Sequence, residues 1–429
     1  MSDPKQIPEP PSPPSRRAFL RTSLALGGAV GTGAFAGKAA AVESKNLPPN
    51  VPEWSQGLGD GVVSRPYGRP SKFEADVIRR DVEWLTASRQ SSVSFTPLHQ
   101  LEGIITPNGL GFERHHGGIA EIDPAEHRLM IHGLVEKPLM LTLEDVRRFP
   151  RVNRIAFLEC AANSGMEWKG AQLNGCQFTH GMVHCVMYTG VPLKLLLEEA
   201  GLKTNAKWLL PEGADAAAMT RSVPIEKALD DAMVAYAMNG EALYPEHGYP
   251  LRLVLPGWQG NMWVKWLRRI KVGDEPWQTR EETSKYTALL PDGRARRFTW
   301  AMDAKSVITS PSPQAPMHHK GFTVLSGLAW SGRGKISQVD VSLDGGRNWR
   351  AARLDGPVLD KALTRFYYEF DWTGDPLLLQ SRAVDETGYV QPTKAALRRH
   401  RGLNSIYHNN GIQTWHVLPS GEIENVEVA

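Results

Sequence analysis

Cysteine is scarce in this chain: three in 429 residues, at Cys160, Cys176 and Cys185. None stands in a C-x-x-C pair or a C-x-x-C-H run, which excludes a cysteine-built zinc site and covalent haem attachment here. Any haem must come from another chain. Beyond residue 41 no stretch approaches the roughly 20 consecutive apolar residues of a membrane-spanning helix. An excess of one charge is missing as well. The formal net charge is +3, and five basic and two acidic residues fall in the first 41 positions, leaving 44 of each sign. A neutral chain has no electrostatic footprint for nucleic acid.

Those first 41 residues do not read as fold. A Pro-rich start leads to Ser15-Arg16-Arg17-Ala18-Phe19-Leu20, then to the weakly apolar run LALGGAVGTGAFAG, Lys38 and a small-residue stretch. Paired arginines, a modest apolar run and an A-x-A-like end match a twin-arginine export signal; the alternative is a disordered basic tail. That route carries proteins already folded, often around a cofactor, so the pattern predicts a periplasmic cofactor enzyme. The remaining length accommodates two or three domains.

Residues 42–100 are Pro- and Gly-rich, then charged, with FEADVIRRDVEWL helical in pattern. They read as an extension wrapping the next domain. Over 101–290, strand-like runs (HRLMIHGLV, RIAFLEC, KWLLPEG, YPLRLVLPG) alternate with helical ones (LTLEDVRRF, VPLKLLLEEAG, IEKALDDAMVAYAMNG), as in a mixed α+β domain. A linker near 291–307 follows. Over 308–429, strand-length segments such as ISQVDVSL are broken by turn residues, Asp344-Gly345-Gly346 among them, and no helix of any length interrupts them. That is the pattern of an immunoglobulin-like β-sandwich.

The stretch FLECAANSGMEWKG puts Cys160 where a strand-like run ends in a small-residue turn. The thiol reads as a buried small hydrophobe, as half of a disulfide, or as a ligand. A thiolate suits soft or high-valent metals, and one cysteine cannot complete such a site, so an organic cofactor or water would supply the rest. Phe112-Glu113-Arg114-His115-His116, the turn ending at Asp215, His247 to Arg252, and Val264-Lys265-Trp266-Leu267 offer forks and point charges for a phosphorylated ligand. Each stretch alone reads equally as solvated surface or ordinary strand; together, and in this order, they suggest a cradle.

The order F-x-R-x-H, C-A-x-N, E-G-x-D, H-G-Y-P-L-R-L-V-x-P-G, V-K-W-L and S-x-D-G-G-x-x-W resembles the sulfite oxidase family of molybdenum enzymes. The resemblance runs from about Leu101 onward. MEWKGAQLNG, PDGRARRFT and NSIYHNNGIQTW are similar to its bacterial sulfane dehydrogenase subgroup rather than to the eukaryotic enzymes. It implies an α+β fold, with a sulfite-oxidase-type molybdopterin-binding domain followed by an immunoglobulin-like dimerisation domain. It also implies Cys160 as the thiolate on molybdenum, with Arg114 and Tyr286 at the reacting centre. Phe112, His115, His116, Asp215, His247, Arg252, Lys265, Trp266 and Leu267 would hold the pterin and its phosphate. Sulfite-oxidising members commonly bring a further arginine into the turn after C-A-G-N, where this chain has Ser164 and Gly165. Arg333 is a candidate cation from the C-terminal domain.

These features imply oxidation of protein-bound sulfane sulfur delivered by a carrier protein. Electrons would pass to a separate c-type cytochrome, in a homodimeric core carrying two cytochrome subunits. The alternatives are a free-sulfite dehydrogenase on the same cofactor and a non-catalytic binding or assembly protein of the same fold. The basic runs GRARR (293–297) and RRHR (398–401) read either as steering charge for an acidic partner or as solvated surface. Cys176 and Cys185 read as buried structural thiols in preference to a disulfide.

Overall fold

Residues 70–82, 86–404 and 406–428 are described by the computed structural model. The export-signal reading of 1–41 and the extension up to residue 69 lie outside them. Within the described part of FEADVIRRDVEWL, up to Val82, the helical pattern gives way to other structure. Lys72–Glu74 forms one 3₁₀ turn, and Arg80–Asp81 (β1) pairs with Val93–Phe95 (β2). A short exposed helix is marginal in water, and pairing satisfies the same backbone groups against a neighbour. Strand β2 pairs in turn with Glu113–Arg114 (β3), so this segment carries the ERHH stretch directly.

Ten strands follow: β4 (Leu129–Gly133), β5 (Leu139–Leu141), β6 (Val152–Glu159), β7 (Val183–Pro192), β8 (Trp208–Gly213), β9 (Val223–Pro224), β10 (Met233–Met238), β11 (Glu241–Ala242), β12 (Arg252–Val254) and β13 (Leu267–Gly273). They form two five-stranded sheets, one ordered β5-β4-β13-β8-β9, the other β11-β10-β7-β6 with β12 also on β10. Helices α1 (Leu143–Arg147), α2 (Cys176–His180), α3 (Leu193–Ala200) and α4 (Ile225–Asp230) lie between strands. In α3 the buried residues Leu193, Leu196, Leu197 and Ala200 follow the helical period. IEKALDDAMVAYAMNG is not one helix: α4 stops at Asp230 and MVAYAM becomes β10. This strand is held on β7, β11 and β12, and Asn239-Gly240, both at positive φ, make a two-residue hairpin to β11.

After a small hairpin of β14 (Ala288–Leu289) and β15 (Ala295–Arg296), the chain builds two antiparallel sheets. The strands are β16 (Lys305–Ser310), β17 (Gly321–Trp330), β18 (Ile336–Ser342), β19 (Arg350–Ala351), β20 (Arg353–Leu354), β21 (Thr364–Trp372), β22 (Leu377–Asp385), β23 (Thr414–Val417) and β24 (Ile423–Val426). One sheet runs β16-β17-β21-β20, the other β19-β18-β22-β23-β24, and the inner faces bury Val307, Leu328, Val339, Phe366 and Trp415 in a sandwich. One helix does interrupt them, α5 (Lys394–Arg401), capped by Thr393 Oγ1 accepting from the Ala396 amide at 3.2 Å. Its run KAALRRHR is rich in strong helix formers, which the reading as a charge run overlooked.

Two apolar cores result, and β6 belongs to both. Ala156 and Leu158 face the first core, while Phe157 packs into the second among sandwich residues. Cys176 and Cys185 are buried there as separate thiols, pushed up to about 12 by burial. The strand ends in Glu159, fully buried, which accepts from Lys305 Nζ (2.9 Å), Asn163 Nδ2 (2.9 Å) and Trp330 Nε1 (2.7 Å). Lys305 and Trp330 come from the sandwich. Removing one member of a buried, hydrogen-bonded ion pair strands the other charge, at about 3–5 kcal/mol. Glu159→Gln is expected to lower the denaturant midpoint by a corresponding amount. Adding Lys305→Met to it should recover part of the loss, since no buried charge is then left alone.

Candidate cofactor and active site

Cys160 follows β6 in a turn tied at every residue. Its amide donates to Met182 O (2.9 Å), and the Asn163 amide donates back to Cys160 O (2.9 Å). Ser164, at φ 63°, donates its hydroxyl to Thr179 O (2.7 Å), and Asn163 Oδ1 accepts from the Met182 amide (3.1 Å). The far end of the chain clamps the same turn: the His408 amide donates to Ala161 O (2.7 Å) and Asn409 Nδ2 to Ser164 O (3.0 Å). Burial pushes the Cys160 thiol up, against the Ala162 amide and the charges of Arg114 and Lys305, which favour the thiolate.

The thiol opens onto a cavity of about 700 Å³, counting its mouth and the solvent in it. Phe112, Arg114, His115, His116, Cys160, Asp215, His247, Arg252, Lys265, Trp266 and Tyr286 all line it. Leu267 does not: its side chain is in the core, and its carbonyl pairs with His127 Nε2 (3.0 Å). Arg333 does not either. It donates to Asp303 Oδ1 (2.7 Å) and lines a different cleft. Residues that the sequence reading passed over also line the cavity, notably His184, Glu246, Asn261 and Trp263. His184 sits in the otherwise apolar strand run VHCV. Asn261 and Trp263 fall between two recognised motifs, in PGWQGNMW, where the two-histidine and lysine signals drew attention away.

Charge is arranged in relays. Lys265 Nζ reaches His115 Nδ1 (2.9 Å), Glu246 O (2.8 Å) and Arg114 O (3.2 Å), and lies over the Trp266 ring at 4.4 Å. His115 Nε2 in turn meets Glu113 Oε2 at 2.8 Å. A neutral imidazole protonated at Nε2 satisfies both contacts, donating to the carboxylate and accepting from the ammonium. His116 Nε2 lies 2.8 Å from the Tyr286 hydroxyl. Burial and then Arg114 hold His116 down to about 3, and burial raises Tyr286, so the phenol donates to a neutral ring. Arg252 spends Nη1 on His247 O (3.0 Å) and Nη2 on Trp263 O (3.2 Å).

Several groups facing the cavity are buried with no partner in the protein: Asp215 Oδ1, His184 Nδ1, His247 Nδ1, Arg252 Nε and both polar atoms of Asn261. An orphaned buried polar atom costs on the order of 1–3 kcal/mol. Such a concentration of donors and acceptors around one cavity, with a guanidinium and an ammonium, fits a polar heterocycle bearing a phosphate. The adjacent thiol is of the chemistry that could supply one soft ligand to a metal.

Burial and then Arg252 lower Lys265 to about 7. Its folded value lies below the ordinary lysine value of 10.5, so between the two the unfolded chain binds more protons and stability rises with pH. The cofactor-free protein should therefore gain in thermal midpoint as pH climbs from about 7 towards 10. Lys265→Met should remove that gain.

The comparisons with known proteins agree with this geometry. Residues 116–281 match the oxidoreductase molybdopterin binding domain and residues 296–415 the Mo-co oxidoreductase dimerisation domain. Sulfite oxidase of Gallus gallus is 32% identical over 320 residues, covering 69% of this chain and 70% of that one. Mitochondrial sulfite oxidase of Mus musculus is 32% identical over 372 residues, covering 80% and 67%. In the crystal structure of the sulfane dehydrogenase SoxCD from Paracoccus pantotrophus, one chain is 62% identical and superposes with a TM-score of 0.87, covering 89% of this chain and 98% of that one. Matched along both of its domains, the chain belongs to the sulfite oxidase family of oxidoreductases, and its cofactor is molybdenum held by a molybdopterin.

Proposed function

We propose that this chain is the molybdenum subunit of a periplasmic sulfane dehydrogenase, which oxidises sulfane sulfur borne on a carrier protein and passes the electrons to a c-type cytochrome. The observation that carries the reading is a recess beside the Cys160 turn. Val93, Phe95, Met166, Phe178 and Met182 line it, and Arg114 is the one basic residue among its described lining. A side chain at position 165 has no room to enter: a Cβ on Gly165 would lie 2.6 Å from the Ile406 carbonyl oxygen. A doubly charged free sulfite would lose its hydration there against a single guanidinium. An alkyl-borne sulfane sulfur carries at most one charge and brings methylenes suited to the apolar wall. The 62% identity to a chain of a sulfane dehydrogenase supports the same assignment.

The bound cofactor supplies the two-electron redox centre and the oxygen transfer. The protein's own groups do the rest. Cys160 would hold the metal as its thiolate, with the charges of Arg114 and Lys305 favouring that form against burial. Arg252, Lys265, His115, His116, His247 and Asp215 would hold the pterin and its phosphate, with Phe112 and Trp266 packed alongside. Arg114 would draw in the anionic end of the substrate. The Tyr286 phenol, aligned by His116, would stabilise charge developing on oxygen as sulfur is oxidised. The twin-arginine pattern favours export in the folded state. The match to a dimerisation domain favours a homodimeric core, with residues 101–290 catalytic and 308–429 dimerising, and the likeness to a chain of SoxCD supports one cytochrome subunit on each protomer.

Cytochrome c reduction by the natively purified protein tests the reading, with free sulfite compared against a carrier loaded with sulfane sulfur. Turnover mainly with the loaded carrier is the expected result. Rapid turnover of free sulfite would make the protein a sulfite dehydrogenase instead. Cys160→Ser should keep the fold and bound pterin but lose turnover, and wild-type rates in that variant would remove the ligand assignment. Arg114→Met should cut kcat/KM by about a hundredfold or more, as expected for loss of one preorganised donor.

A further inference from the structure

Three basic stretches are left unused by this chemistry: GRARR, the WSGRGK turn and RRHR. They lie far apart in sequence, yet the fold brings Arg296 of β15, Arg333 of the turn between β17 and β18, and His400 and Arg401 of α5 into one cleft. The cleft holds about 1160 Å³, counting its mouth. Its floor is aromatic. Trp258 and Trp300 stack in parallel, 1° apart in plane with centroids at 5.1 Å, and Phe298 lies 5.2 Å from Trp300.

Asp303 is the one carboxylate among the described residues of this lining, and its charge is already taken. It sits 2.7 Å from Arg333, 3.6 Å from Arg401 and 2.7 Å from His408 Nε2, which together hold it well below the usual carboxylate range despite burial. Arg296 and His400 stand outside that arrangement. The cleft therefore carries uncompensated positive charge around an aromatic floor, with the buried Trp300 Nε1 lacking a partner. Arginine and tryptophan are the residues enriched at the centres of protein interfaces.

The cleft also adjoins the cofactor. Trp258 lines it, while Gly260, Asn261 and Trp263 line the cofactor cavity, and Trp263 Nε1 donates to Trp258 O at 3.0 Å. One six-residue segment thus forms the wall between the two spaces.

We propose that this cleft is the docking face for an acidic c-type cytochrome, whose carboxylate rim pairs with Arg296 and His400 while an apolar edge meets Trp258 and Trp300. The inference rests on the electron acceptor proposed above and adds its place on the surface. Each oxygen added to the sulfur from water releases two electrons and two protons, and each ferric haem takes one electron to become ferrous, so two haems or two encounters complete one oxygen transfer.

The test uses the molybdenum-loaded protein and its co-purifying cytochrome, with Arg296→Glu/His400→Glu as the variant and Arg296→Lys as the charge-conserving control. At low salt the double variant should raise the cytochrome KM at least tenfold and flatten its dependence on ionic strength, while the control stays near wild type. Turnover with a small phenazinium dye should not change. Binding of oxidised cytochrome needs no turnover and should weaken in parallel, which separates this inference from failure of the sulfane assay. Unchanged cytochrome KM and binding in the double variant would overturn the docking face. So would a change in oligomeric mass with cytochrome binding intact, which would mark the cleft as a contact between copies of this chain.

Discussion

Everything near the thiol depends on one buried carboxylate. Glu159 ends β6, immediately before Cys160, and holds Lys305 and Trp330 of the sandwich together with Asn163 of the turn. Desolvating such charges is expensive, and the cost is offset only when every lone pair is used in good geometry. That requirement makes the sandwich a structural part of the cofactor site, not an appendage to it. The same strand places Phe157 in the second core, and the Phe157 amide donates to Lys361 O at 3.0 Å. The Cys160 turn is thereby fixed from both sides.

The cradle is built in advance of its occupant. His115 links Glu113 to Lys265, Arg252 is anchored on two carbonyls, and the Tyr286 hydroxyl is held by His116. Groups held in this way do not reorganise on binding, so affinity and catalysis both gain. The orphaned atoms of Asp215, His184, His247 and Asn261 are the other half of the same arrangement, since the protein alone leaves them without a partner.

Most of the cavity lining was legible in the sequence because its residues sit in short, spaced motifs at strand ends: ERHH at β3, C-A-x-N after β6, H-G-Y-P-L-R before β12 and V-K-W-L into β13. What local pattern could not carry was the partner of each element. MVAYAM has helical periodicity but becomes β10 because three strands flank it. FEADVIRR yields to pairing with β2 for the same reason. Leu267 adjoins Trp266 in sequence, yet Trp266 sits at φ 52° before β13 begins, while Leu267 opens that strand in the core. Arg333 is only a candidate cation by sequence, and the fold shows that Asp303 holds it elsewhere. The basic run in α5 hid a helix, since its charge was more conspicuous than its propensity.

The clamp on the Cys160 turn has a consequence for how such a molecule is made. Asn409 reaches the Ser164 carbonyl from 245 residues further along the chain, and His408 reaches Ala161 beside it. A ribosome releases the first half of the site long before it releases these two residues. Until they arrive, the turn lacks two of the bonds that hold it. The geometry around the thiol is therefore complete only once residues 408 and 409 have been synthesised, so the domain that carries the thiol cannot finish its own turn.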